Sequence, residues 1–113
     1  MKPKKLIRSK IPYKLKPGEW EIIKDTEELN KLYALKIHEE LIEVQKSEHK
    51  DVYELADLLE VTLAFAFLNG FSYDHVITAI KQKMNSNGGF ENIVLTNLNP
   101  NNPSNEIYFE ALD

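Results

Sequence analysis

Five acidic residues stand at a spacing that could hold a cation: Glu39, Glu40 and Glu43 in one stretch, Glu54 and Asp57 in a second. Glu40 and Glu43 are three residues apart, as are Glu54 and Asp57, so each pair projects from one side of an α-helix. Four carboxylates facing one another across two antiparallel helices repel strongly unless positive charge lies among them. A ligand set made only of oxygens, with high negative charge, suits a hard divalent ion such as Mg2+ or Mn2+. Carboxylates at this spacing are also common on solvated helix faces, so the elements that carry them must be read next.

The first helix is expected from about Thr26 to about Gln45, capped by Asp25 or Thr26 with Glu27 and Glu28 in the favourable first turn. Its apolar positions include Leu29, Leu32, Tyr33, Ile37, Leu41 and Val44. In projection Glu40 falls between Leu29 and Tyr33, and Glu43 between Leu29 and Leu32, so the carboxylates continue a stripe that begins as apolar. Burying an uncompensated carboxylate costs several kcal/mol, on the order of the whole stability of a small domain. A cation or basic partner is therefore expected there. A polar turn at 47–50 and an Asp51 cap, with the outline of a capping box to Glu54, open a second helix that stops at Gly70. That helix is apolar nearly all round, which predicts a central place in a bundle. Glu54 and Asp57 again fall among apolar positions. The short turn makes the two helices antiparallel neighbours, so their acidic pairs can meet.

Ser72 is expected to cap a third helix with an apolar face of Tyr73, Val76, Ile77, Ile80 and Met84. It ends at 85–89, where Asn87-Gly88-Gly89 can offer left-handed backbone and N–H groups. On either side lie segments read as arms. Pro12 and Pro17 argue against a continuous helix near the N-terminus, so an extended arm over the helices is expected, with a short strand at Trp20–Ile23. Beyond Gly89 an extended stretch at 90–95 is expected. An Asn/Pro-rich linker at 97–105 follows, then a terminal strand or docking segment at 107–112. The fold class is thus all-α, an antiparallel bundle in one domain over 1–113, with a core of about 5–95 and a tail of 96–113. Three helices make a thin core for a monomer, which predicts a homo-oligomer, a homodimer or homotetramer, that completes the bundle.

The net charge of −4 argues against a general nucleic-acid coating protein. With no cysteine there is no disulfide framework, thiolate zinc site or cysteine nucleophile, and the composition fits a reducing cytosol. The basic N-terminus has no apolar h-region, and the run Val61–Leu68 is too short to span a bilayer, so no signal peptide and no membrane partner are expected. His38, His49 and His75 form no Glu-x-x-His pair, which argues against a ferritin-like di-iron site.

Glu39-Glu40-x-x-Glu43 followed by Glu54-x-x-Asp57 resembles the EExxE…ExxD signature of the all-α nucleoside triphosphate pyrophosphohydrolases, the MazG-like superfamily. More narrowly, the stretch Lys5-Leu-Ile-Arg-Ser-Lys-Ile-Pro12 resembles the opening of its phosphoribosyl-ATP pyrophosphohydrolase-like group. Glu54-Leu-Ala-Asp-Leu-Leu-Glu-Val61 and Asn87-Gly-Gly-Phe90 with Ile93-Val-Leu95 resemble later motifs of that group, in the same order. Ser9 stands where the group has an aspartate, Asn87 where it has an arginine, and the gap between Glu43 and Glu54 is slightly short for the wider superfamily. The resemblance implies a MazG-like fold, a Mg2+ site, and cleavage of an NTP or dNTP between its α- and β-phosphates to give NMP and pyrophosphate, as in clearing non-standard nucleotides.

Carried over by position, Glu40, Glu43, Glu54 and Asp57 would be the metal ligands, and Glu39 would support them or orient a water. A carboxylate not fully engaged as a ligand, Glu39 or Glu43, could take the proton of the attacking water. Arg8, Lys10, Lys81 and Lys83 are the cations available for phosphate charge, and Asn87 opens a backbone nest beside them. Two readings of another kind stand beside this one: a non-catalytic nucleotide- or metal-binding helical module or oligomeric adaptor, and a purely structural site whose carboxylates are neutralised by Arg8 and lysines.

Overall fold

The computed structural model describes residues 2–112, and among these every regular element is helical. Three helices carry the fold: α1 (Thr26–Lys46), α2 (Val52–Leu68) and α3 (Tyr73–Asn87); a one-turn α4 (Glu106–Glu110) lies near the C-terminus. The chain divides into two compact units, Met1–Gln82 and Lys83–Asp113, each described by itself.

In the first unit, Asp25 caps α1 by accepting from the backbone N–H of Glu28, and Asp51 caps α2 by accepting from that of Tyr53. Each satisfies one of the amide donors left free in a first helical turn. The two helices end in the same way. At α2, Gly70 takes φ +93°, its N–H reaching Phe67 O and that of Phe71 reaching Ala66 O. At α1, Glu48 takes φ +58° and His49 φ +63°, the N–H of Glu48 reaching Gln45 O and that of His49 reaching Val44 O. Both are Schellman closures; one has the glycine that the left-handed position favours and the other does not.

α1 and α2 pack antiparallel, and three contacts fix their register. Asn69 donates to Asn30 at 2.9 Å. The rings of Tyr33 and Phe65 stack with centroids 5.8 Å apart. Further along, Glu40 meets Glu54 and Asp57. The apolar stripe thus begins with aromatic packing and ends in carboxylates. Among the described residues the buried apolar side chains are Leu32, 9 % exposed, and Val44, 4 % exposed, both on α1.

The expected central place of α2 is not found within one chain. No described side chain of α2 is fully buried, and Val52, Leu55, Leu59 and Phe67 remain exposed. A helix apolar all round needs neighbours on several sides, and α1 covers one. Tyr73, Ile80 and Met84 of α3 are likewise exposed. Ser72 does cap α3, its hydroxyl accepting from His75 N–H at 3.2 Å while His75 Nδ1 accepts from Ser72 N–H at 3.3 Å.

The N-terminal arm is not the simple extended strap expected. Residues Ile11–Lys14 form a 3-10 turn with Pro12 near its start, where a missing N–H costs nothing. Glu19 N–H then bonds Lys16 O across Pro17 and Gly18, with Gly18 at φ +89°. Proline second and glycine third is what a tight turn with positive φ requires. This turn brings Trp20–Ile22 back beside Ile7–Tyr13. The strand expected at Trp20–Ile23 does not form: the segment has no ladder partner and stays irregular.

In the second unit, α3 ends at Gly88, whose φ is +80° and whose N–H reaches Met84 O at 2.8 Å. Residues 90–95 follow without ladder bonds, and the side chains of Phe90, Ile93, Val94 and Leu95 are exposed. The Asn-rich linker is a built loop. Asn99 accepts from Asn101 N–H and from the Asn105 amide, and Asn102 accepts from Ser104 N–H. It leads into a 3-10 turn at Pro103–Asn105 and then α4, so the terminal segment is helical instead of a strand. Asparagine side chains that bond backbone one or two residues on favour turns of this kind.

Candidate metal centre

The antiparallel register brings Glu40 of α1 and Glu54 and Asp57 of α2 to one place, with one carboxylate oxygen of each lying within 4.8 Å of the others. Two oxygens on opposite sides of an octahedral Mg2+ are about 4.2 Å apart, twice the ion–oxygen distance. The three groups are therefore at the scale of one hard cation, and their oxygen-only chemistry matches it. Glu40 is the most enclosed of those whose exposure bears on the site, its side chain 12 % exposed, against 34 % for Glu39, 36 % for Asp57 and 43 % for Glu43.

The crowding of negative charge is felt most at Glu54. Its carboxyl is raised above the usual value, first by partial loss of water and then by the charges of Asp51, Asp57, Glu40 and Glu43. The three other expected ligands thus all act on Glu54, although Glu43 lies outside the close triad. The nearest cation to Glu43 is Lys46, one turn on, at 3.8 Å.

Basic groups rim the cluster. Lys36 reaches Glu39 and Glu40, each at 3.4 Å. Lys5 from the arm reaches Glu39 at 3.1 Å, and this bond with the charge of Lys36 holds the Glu39 carboxyl below its usual range, against its partial burial. Arg8 forks across one turn of α2, onto Asp57 and, at 3.0 Å, onto Glu60. Its own pKa is raised by the same two partners, Glu60 first.

Of the cations singled out in the sequence, Arg8 alone is seen on an acidic residue of the cluster. Lys10 precedes the 3-10 turn and is exposed. Lys81 is exposed on α3, and Lys83 and Asn87 belong to the second unit. Three charged participants escaped the sequence reading: Lys5, Lys36 and Glu60. Lys36 had a legible signal, since it stands three and four residues before Glu39 and Glu40 on one helix face. Lys5 and Glu60 had none, because their partners come through the path of the arm.

No protein-family model, no curated protein and no solved structure matches the chain. Among the described residues no single helix is long and apolar enough to cross a membrane.

Proposed function

We propose that the chain is a Mg2+-dependent nucleoside triphosphate pyrophosphohydrolase of the MazG-like kind, with Glu40, Glu54 and Asp57 as the inner ligands and Glu43 beside them. The observation that carries this reading is the meeting of three carboxylates, one of them largely enclosed, from two antiparallel helices. Self-repulsion of this kind is relieved by a divalent ion, and a nucleoside triphosphate brings further negative charge that such an ion can bridge.

Bound there, Mg2+ would polarise the α-phosphate and acidify a water. The residues then divide the work. Water oxygen bonds to the α-phosphorus, the bond from α-phosphorus to the bridging oxygen breaks, and pyrophosphate leaves. The water proton passes to a carboxylate. Glu43, whose contact with Lys46 is long at 3.8 Å, is the less engaged of the two carboxylates and takes it. Glu39, tied to Lys5 and Lys36 and lowered in pKa, is the weaker base and holds those lysines in place. Arg8 is placed to exchange a carboxylate for a phosphate oxygen, a pairing its planar fork suits.

The exposed apolar surface of α2 supports assembly as a homodimer or homotetramer, in which a second copy covers Leu55, Leu59 and Phe67. The test of the reaction is pyrophosphate release over a panel of NTPs and dNTPs with Mg2+, beside Glu43→Gln and Asp57→Asn. Release by the wild type, with a loss of at least about 100-fold in both variants, is expected. Release that survives both changes rejects the site.

The Arg8, Lys5 and Lys36 contacts favour one second reading, a structural cluster neutralised by basic side chains. In that case EDTA and added Mg2+ leave Tm unchanged. Under the first reading Mg2+ raises it by mass action.

A further inference from the structure

The doubled-back arm shapes a half-open recess of about 440 Å3, lined by Ile7, Pro12, Tyr13, Trp20 and Ile22 with the polar groups of Arg8, Ser9 and Glu21. This volume is in the range of small-molecule sites, and the lining has their usual make-up, mostly apolar and aromatic with a few polar groups, of which Arg8 is the cation. The two aromatic rings are not spent on the core: Trp20 is 43 % exposed and Tyr13 89 % exposed. The cation at the margin is Arg8, whose guanidinium sits on Asp57 of the acidic triad. One side chain therefore lines the recess at one end and touches the candidate metal centre at the other.

We infer that this recess receives the heterocyclic base of the nucleotide, stacked on Trp20 and Tyr13, while its phosphates extend past Arg8 to the carboxylates. This placement rests on the reading of the triad as a phosphate-processing centre and adds where the base goes. A nucleotide joins a flat heterocycle to a polyanion, and the structure joins an aromatic recess to a cation-rimmed metal cluster in the same sequence. Stacking on aromatic faces tolerates any base, and Ser9 and Glu21 are the lining groups left to discriminate among them. The arm's path makes the recess: the Pro17-Gly18 turn returns Trp20, and Lys4 clips the returning limb through Glu21 at 2.9 Å and α1 through Glu28 at 3.3 Å.

Trp20 is the chain's only tryptophan, so its fluorescence reports on the arm that forms the recess. The experiment titrates the full chain, in Mg2+, with α,β-methylene nucleoside triphosphate analogues, and with tripolyphosphate as the control that lacks a base. Saturable quenching by the analogues and none by tripolyphosphate is expected. Tyr13→Ala, at a side chain too exposed to upset folding, and Trp20→Ala should each raise KM, or the analogue Kd, about five- to a hundredfold, with a smaller change in kcat. Equal quenching by tripolyphosphate, or a silent Trp20 with every analogue, overturns the inference. Turnover of NTPs with a silent Trp20 overturns the base site and leaves the reaction standing. Base-dependent quenching without pyrophosphate release does the reverse.

Discussion

At the scale of single residues, Glu54 is where electrostatics and function conflict. Its carboxyl titrates above the usual value near 4.5 because lost hydration and four neighbouring carboxylates disfavour its charge. A folded pKa above the unfolded one contributes stability below the unfolded value and loses it as pH rises through the folded value. At neutral pH the metal-free protein therefore carries this repulsion. Glu39 has the opposite sign: its lowered pKa contributes stability above about 4.5 that is lost as pH falls through the lower folded value. Glu54→Gln should raise the metal-free Tm at pH 7 and abolish the Mg2+-induced rise, both read in one thermal-shift series. Because a ligand must be deprotonated, Mn2+ affinity of the wild type should begin to fall above pH 4.5 as acid is added. A metal-free Tm lowered by Glu54→Gln would show that the cluster is already neutralised by Arg8 and the lysines.

At the scale of elements, the two Schellman closures make an internal comparison. Gly70 ends α2 with left-handed backbone at no steric cost, and a Cβ added there would meet nothing within 4 Å, so the penalty for any other residue is conformational. Glu48 ends α1 with left-handed backbone too, followed by His49 at φ +63°, and bears that penalty, about 1–2 kcal/mol for an L-residue. After the entropy that glycine adds to the unfolded chain, Glu48→Gly should stabilise the protein by about 0.5–1 kcal/mol, measured by urea unfolding at fixed Mg2+. This turn sets the antiparallel register that brings Glu40 to Glu54 and Asp57. The substitution should therefore leave metal affinity unchanged, and a changed affinity would mean that strain in the turn tunes the site.

At the scale of the whole molecule, the exposed apolar surface of α2 is the dominant fact. Each large apolar side chain withdrawn from water contributes roughly 1.5–3 kcal/mol, and Leu55, Leu59 and Phe67 are left exposed by a single copy. Sedimentation at micromolar concentration should show an oligomer. Leu59→Glu, at a side chain 60 % exposed in one copy, should shift it to monomer and lower Tm. A wild-type monomer at that concentration would reject assembly through α2.

Local rules in the sequence determined the helices, their caps and the Gly70 stop, because a cap needs only an oxygen three residues from an amide, and a helix only a few turns of suitable residues. They also determined that Glu40, Glu54 and Asp57 would meet, since an apolar stripe of period 3.6 fixes a common face and a short turn fixes antiparallel pairing, but Glu43, read onto the same stripe, lies outside the close triad. Tertiary structure decided the rest. The Trp20–Ile23 segment has strand-like residues but no neighbouring strand to supply hydrogen bonds, so it stays irregular. The terminal segment had no periodicity long enough to choose helix over strand until the asparagine loop set its start. Arg8 and Lys5 reach the acidic cluster, and Trp20 lines one recess with Tyr13, because the arm doubles back at Pro17-Gly18. A turn can be read from two residues, but where it delivers the chain depends on everything packed against it.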